Sequence, residues 1–143
     1  MYEMHEARTV RGKSPQQVFD FVADPEHGAE WNSAAKSVRA EGEPGVGRRL
    51  IASAGILAFT FDITQEVTVW DPPHAYGWAG EKPVRTSFLF HFEETGEDTR
   101  MTVDVEFDPS GLVPKLMRGQ VAKKFMSDFT GDLDTLVRLV EAS

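Results

Sequence analysis

The sequence predicts an α+β protein. A curved antiparallel sheet of about seven strands wraps around one long C-terminal helix, and two short helices follow the first strand. Three observations predict this. From about Leu112 to Val140, apolar residues recur at steps of three or four (Leu112, Val113, Leu116, Met117, Val121, Phe125, Phe129, Leu133, Leu136, Val137, Val140), the spacing of one helix face. From Ser37 to Phe107 the period is two, broken by short turns, as in strands with one buried face. Ahead of both lies a helix start, Ser14-Pro15-Gln16-Gln17. Strands in a run followed by a separate helix argue for an antiparallel sheet packed against that helix, and no linker or internal repeat divides residues 1–143.

In chain order, Glu3 to Arg11 reads as a first strand with faces that alternation does not assign, ending at Gly12. Ser14 is placed to cap the N–H of Gln17, Pro15 occupies a position that needs no N–H, and Gln17 closes a capping box. Val18, Phe19, Phe21 and Val22 give this helix its buried side. Asp24-Pro25 stops it, because a residue before proline is biased away from helix. The same pair starts a second short helix ending near Trp31-Asn32. Strands follow at Ser37–Glu41 and Arg48–Ser53, joined by Glu43–Gly47. In the clearest strand, Phe59, Phe61, Ile63, Gln65, Val67 and Val69 point one way, and Thr60 through Trp70 on the alternate positions point the other. After a turn at Asp71–His74 comes Ala75–Ala79, with Tyr76 and Trp78 on one face. Phe88, Phe90 and Phe92 define the next strand, and Met101, Val103, Val105 and Phe107 the last. Gly131 sits inside the final helix, where glycine costs roughly 1 kcal/mol relative to alanine; a bend, a loosening or unusually close packing is expected there.

The bulk composition excludes several function classes. A formal charge of −8, with Arg48-Arg49 and Lys123-Lys124 as the only dense basic clusters, disfavours nucleic acid and anionic membrane surfaces. No cysteine is present, which removes a disulfide framework, a thiol nucleophile and cysteine-ligated zinc and fits a reducing cytoplasm. The N-terminal residues Met1–Glu6 carry no apolar signal core, and no run reaches membrane-spanning length. The histidines His5, His27, His74 and His91 show no metal-type spacing, so no metal or cofactor is expected. His91 and His74 read as outward and turn residues, and His27 as an ordinary residue of the second short helix beside Trp31, with a place at the cavity entrance as the lesser alternative. Gly45-Val46-Gly47 lacks the downstream Gly-Lys-Ser/Thr and helix of a phosphate loop and reads as a hairpin turn. Arg48 and Arg49 read as solvated strand residues, with the alternative that one of them reaches the cavity mouth.

Taken together, Ser14–Asp24, Trp31, Gly45-Val46-Gly47, Glu66–Pro73 and the terminal helix resemble the START-like, helix-grip (SRPBCC) superfamily, in its polyketide cyclase/dehydrase branch, over essentially the whole chain. The resemblance implies an elongated cavity between sheet and helix, closed on its open side by the two short helices, with Trp31 near its edge. It implies no catalytic set that maps onto these residues. The candidate ligand-binding residues are Trp31, Phe59, Phe61, Gln65, Trp78, Phe88, Phe90, Met101, Val103, Met117, Val121, Phe125 and Phe129. Each aromatic among them is equally well explained as core, since burial alone contributes about 1.5–3 kcal/mol. Gln65, an amide on an apolar stripe, needs hydrogen-bond partners; it orients a ligand or is satisfied by a neighbour.

The expected function is therefore binding of a small, largely hydrophobic molecule, lipid or polyketide-like, by a monomer or homodimer. The alternative is a cyclase or dehydratase in which Gln65, Tyr76 and Arg85 converge on the substrate. A third class, an interaction module, requires an exposed apolar patch that the polar outward positions do not provide.

Overall fold

The computed structural model describes residues 1–56 and 58–143. Seven strands, β1 (Tyr2–Val10), β2 (Ala35–Glu41), β3 (Arg49–Ile56), β4 (Phe59–Asp71), β5 (Ala75–Gly80), β6 (Arg85–Thr95) and β7 (Asp98–Asp108), form one antiparallel sheet. Its order is β1-β7-β6-β5-β4-β3-β2. Helices α1 (Pro15–Val22) and α2 (Gly28–Trp31) follow β1, and α3 (Arg118–Ala142) closes the chain. This is the helix-grip arrangement.

The local signals act as their chemistry dictates. Ser14 Oγ accepts the Gln17 N–H at 3.2 Å and Gln17 Oε1 accepts the Ser14 N–H at 2.9 Å, so two otherwise orphaned donors are satisfied. Asp24 accepts the Glu26 N–H at 2.9 Å and starts the single 3₁₀ turn Pro25–His27 that runs into α2. Gly28 allows α2 to lie on β2: a Cβ there would stand 3.0 Å from Val38 Cγ2. In α1, Val18, Phe19 and Val22 are buried, whereas Phe21 is half-buried and stacks on the His27 ring at 3.9 Å. The turn between β2 and β3 carries positive φ at Gly45 (140°) and Gly47 (94°), a hairpin turn.

On the concave face, Phe88, Phe90 and Phe92 of β6 meet Met101, Val103, Val105 and Phe107 of β7, all buried. Leu133, Leu136 and Val140 of α3 pack within the same core. The weak alternation of β1 now has a reason. Glu6 and Arg8 lie opposite inward-facing Val103 and Met101 and meet α3 with polar groups. Arg8 Nε donates to Asp134 Oδ1 at 2.8 Å and its Nη2 to the Thr130 carbonyl at 3.1 Å, while Thr130 Oγ1 donates to Glu6 Oε1 at 3.2 Å.

Three expectations are corrected. The strict alternation of β4 breaks at a bulge between Val67 and Val69; an extra residue reverses side-chain direction, so half-buried Trp70 turns inward and packs edge-on against Phe19 and Tyr76 at the edge of the core. The final helix begins at Arg118, not near Leu112. Val113 precedes proline, Pro114 is extended (φ −58°, ψ 153°), and only a 3₁₀ turn, Lys115–Met117, intervenes. Leu116 is consequently 98% exposed. Gly131 is exposed within an uninterrupted α3, with open space where a Cβ would stand, so close packing is not its role.

Candidate functional site

Two adjoining hollows of ≈ 70 Å³ each lie on the concave face, the first against β2–β5 and the second reaching across to β6, β7 and α3. The first is bounded by the end of α1, by Gly28, Trp31 and Asn32, and by Val38, Leu50, Gln65, Tyr76 and Trp78. The second is bounded by Ala54, Phe61, Ile63, Thr86, Phe88, Phe107 and Phe125. Asn32, Ala35, Ala52, Gln65 and Trp78 line both, so the two form one interrupted space. The sequence makes the room with small side chains. Ala52 and Ala54 alternate inward on β3, and Ala35 opens β2. Trp78 stacks on Phe88 at 4.8 Å and on Phe90 at 5.7 Å, giving a flat aromatic wall.

Few polar groups enter this space, and each has a definite state. Gln65 Nε2 donates to Thr86 Oγ1 at 2.6 Å; the neighbouring side chain satisfies the amide at the waist of the two hollows. Tyr76 is buried on β5, and burial pushes its hydroxyl up to about 12, with the Arg48 charge acting in the opposite direction. At neutral pH it is a phenol, a donor and not a base. The indole Nε1 of Trp31, in a residue only 4% exposed, has no hydrogen-bond partner among the described residues. The connection from α2 to β2, which forms the roof, is tied down by Asp132 of α3. Asp132 Oδ2 accepts both the Ser33 N–H and the Ser33 hydroxyl at 3.0 Å. Burial raises the Asp132 pKa, and those two hydrogen bonds act against the rise.

Of the thirteen candidate residues, Trp31, Phe61, Gln65, Trp78, Phe88 and Phe125 line the hollows. Phe90, Met101, Val103, Val121 and Phe129 are sealed in the packed core and touch neither hollow. Phe59 and Met117 are half-buried against that core, Met117 at the N-cap of α3, and likewise line neither. The proposed polar trio separates. Gln65 and Tyr76 face inward, but Arg85 is exposed on the outer face of β6, 3.7 Å from Glu81. His27 is occupied outside the hollow, its Nδ1 2.6 Å from Glu30 Oε2. His91 and His74 are exposed, and His5 pairs with Asp104. No cluster of three or more His, Asp or Glu residues able to hold a metal occurs among the described residues, and no helix among them is long and apolar enough to cross a membrane.

Arg48 departs from the solvated reading and follows the alternative, inward one. Its carbonyl accepts the Val67 N–H at 2.8 Å, extending the β3–β4 pairing one row beyond Arg49 and Glu66. Leu50, Gln65 and Val67 all face inward, so Arg48 does too. It is half-buried, and its Nε is buried without a partner. Counting alternation back from Leu50 would have revealed this. Arg49 is exposed and lies 3.5 Å from Glu41. The Asp132–Ser33 link carries no sequence signal, because it joins residues 99 positions apart.

A family model described as "Polyketide cyclase / dehydrase and lipid transport" matches residues 1–141. A comparison with curated protein sequences gave no match. Among solved structures, the chain is similar to TTHA0849 from Thermus thermophilus (TM-score 0.81, 20% identity, covering 99% of this chain and 98% of that one). It is also similar to the Zhui aromatase/cyclase from Streptomyces sp. R1128 (TM-score 0.76, 16% identity, 98% and 94%) and to a conserved protein from Geobacillus kaustophilus (TM-score 0.71, 20% identity, 99% and 97%). At these identities the likeness establishes the fold.

Proposed function

Since the chain belongs to the polyketide cyclase/dehydrase and lipid transport family, we propose that it is a binding protein for a small, largely apolar molecule, lipid or polyketide-like, held in the double hollow between the sheet and the helices. The observation that carries this reading is the continuity of the hollows: two spaces sharing five lining residues, walled by aromatic and alanine side chains. Ligand pockets are concave, mostly apolar and dotted with a few polar groups, and this one has that composition. The ligand contacts we assign are Trp31, Phe61, Gln65, Trp78, Phe88 and Phe125, with Ala35, Ala52 and Ala54 providing room. Phe59, Phe90, Met101, Val103, Met117, Val121 and Phe129 hold the wall behind them.

Two hollows of ≈ 70 Å³ fall below the roughly 300 Å³ at which ligand pockets ordinarily begin. Binding therefore requires the roof to lift. The Gln65–Thr86 hydrogen bond at the waist is the polar contact that a ligand oxygen would replace. A cyclase reading has one supporting observation, the inward Tyr76 hydroxyl, which is a donor suited to a ketone oxygen. It lacks an inward base. The one carboxylate lining the first hollow, Asp24, is committed at the rim to the Glu26 N–H. Binding without chemistry is the better reading.

Native mass spectrometry of protein purified gently from its own host, with thermal shift against a panel of apolar and aromatic compounds, tests it. A co-purifying small molecule, or a compound that raises the melting midpoint, is the expected result. Ligand-free protein with no shift from any compound would overturn it.

A further inference from the structure

Beside the first hollow, next to Tyr76 and one row beyond its lining residues Leu50 and Gln65, stands a charge without a counter-ion, Arg48, which itself lines neither hollow. Arg8, Arg39, Arg49 and Arg85 each sit beside a carboxylate. Among the described residues Arg11, Arg48, Arg100, Arg118 and Arg138 have no such partner, and of these, in a chain with 23 acidic residues and a net charge of −8, Arg48 alone faces inward beside the hollow. Its place is fixed by the sheet. Arg48, Val67 and Trp78 form one inward row across β3, β4 and β5, and Tyr76 lies two residues before Trp78 on the same face of β5. Arg48 is close enough to Tyr76 to act on the ionisation of its hydroxyl. Among the described residues three side-chain N–H donors are buried with nothing to donate to, Arg48 Nε, Trp31 Nε1 and Arg118 Nε at the start of α3, and of their residues Trp31 lines the first hollow and Arg48 adjoins it. Trp31 and Tyr76 both line the first hollow. A buried donor without an acceptor is costly, and more so when it belongs to a charged group. Such an excess of donors around an apolar space is the complement of an anionic oxygen.

We propose, resting on the binding reading above, that the ligand is an acidic amphiphile: a flat apolar body in the hollows carrying one carboxylate or comparable anionic group seated at Arg48, with Tyr76 and the Trp31 indole as further donors. The opposing charge is Asp24, on the same hollow, where its Oδ1 accepts the Glu26 N–H and its Oδ2 lies 3.7 Å from His27 Nε2. Those contacts hold it at the α1–α2 rim, so the acidic end of the ligand is placed at the Arg48 end and the apolar end toward Phe61 and Phe125.

A matched pair of probes separates the two claims. 8-Anilinonaphthalene-1-sulfonate and N-phenyl-1-naphthylamine share an aromatic skeleton and differ in the sulfonate, which stands in for the ligand's acid. The sulfonate probe is expected to bind about tenfold or more tightly than the neutral one, the scale of one charge-assisted hydrogen bond, with the advantage shrinking as salt is raised. Arg48→Met should collapse that ratio and Arg48→Lys should keep most of it. In a ¹⁵N-labelled sample, the indole N–H signal assigned by Trp31→Phe should move with the sulfonate probe and not with the neutral one. Equal affinity for the two probes, or a ratio that survives Arg48→Met, overturns the acidic-ligand proposal while leaving the binding reading standing. Binding of neither probe overturns both. Should Arg48→Met fail to fold, the wild-type ratio and its salt dependence read the same charge without any substitution.

Discussion

The β6–β7 side of the sheet and the β2–β3 side face the same helices but are built from side chains of different size. On β6 and β7 the inward residues are Phe88, Phe90, Phe92, Met101, Val103, Val105 and Phe107, every one buried. On β2 and β3 they are Val38, Ala40, Leu50, Ala52 and Ala54. Protein interiors are close-packed: Phe90, Phe92, Met101, Val103 and Val105 fill their space, Phe88 and Phe107 form the far wall of the second hollow, and the small residues of β2 and β3 leave the hollows open. Aromatic residues therefore make the wall of this site, and alanines make the room. The difference also separates stability from function: one half is tuned to be full and the other to be underfilled.

Substitutions that exchange these properties test the contrast, beginning with the largest effect. Phe90→Ala, in the full half, should cost about 3–5 kcal/mol in urea denaturation, as large-to-small core changes do; a loss below about 1 kcal/mol, the scale of a surface change, would mean that half is not tightly packed. Ala52→Leu, in the underfilled half, should change stability by under about 1 kcal/mol, where overpacking a filled core costs about 1–3 kcal/mol. It should also weaken binding of N-phenyl-1-naphthylamine by about tenfold or more, on the scale of roughly 1.4 kcal/mol per decade.

The roof of the underfilled half is tied to α3 by one carboxylate, Asp132. Asp132→Ala should lose about 1–3 kcal/mol, because the Ser33 N–H and hydroxyl are left without their acceptor. Asp132→Asn keeps an acceptor and removes the titration. The folded-state pKa of Asp132 is raised above 3.8, so the folded protein holds that proton more tightly than the unfolded chain. The stability this group contributes is present below the unfolded pKa and is lost as pH rises through the folded one. The stability of Asp132→Asn relative to wild type should therefore improve as pH rises from the ordinary value of 3.8 and level off once Asp132 is ionised. A flat difference across that window, measured by denaturation at several pH values, would contradict the burial argument. The smallest effect belongs to Gly131→Ala, which should stabilise by roughly 0.5–1 kcal/mol through helix propensity, since open space surrounds the position.

The fold was legible because its signals are local or periodic. The capping box at Ser14–Gln17, the proline that ends α1 and the alternation of β4 to β7 each follow from neighbouring residues. The boundaries that moved had local causes too. Pro114 delays α3, and the bulge at Val67–Val69 turns Trp70 inward. The site was less legible. Periodicity gives the direction of a side chain, not the volume around it, so Phe90, Met101 and Val103 stood out while Ala35, Ala52 and Ala54 did not. Arg48 was readable from strand parity, yet its charge and its place beside a glycine turn argued for solvent. The Asp132–Ser33 tie depends on tertiary contact alone.

Whether a ligand sits in the underfilled half is read out by amide chemical-shift mapping of ¹⁵N-labelled protein titrated with N-phenyl-1-naphthylamine. The largest shifts are expected at Ala35, Ala52, Ala54 and Gln65, with Met101, Val103 and Val105 nearly unmoved. Shifts confined to the outer face of the sheet, or centred on Met101 to Val105, would contradict a ligand site there.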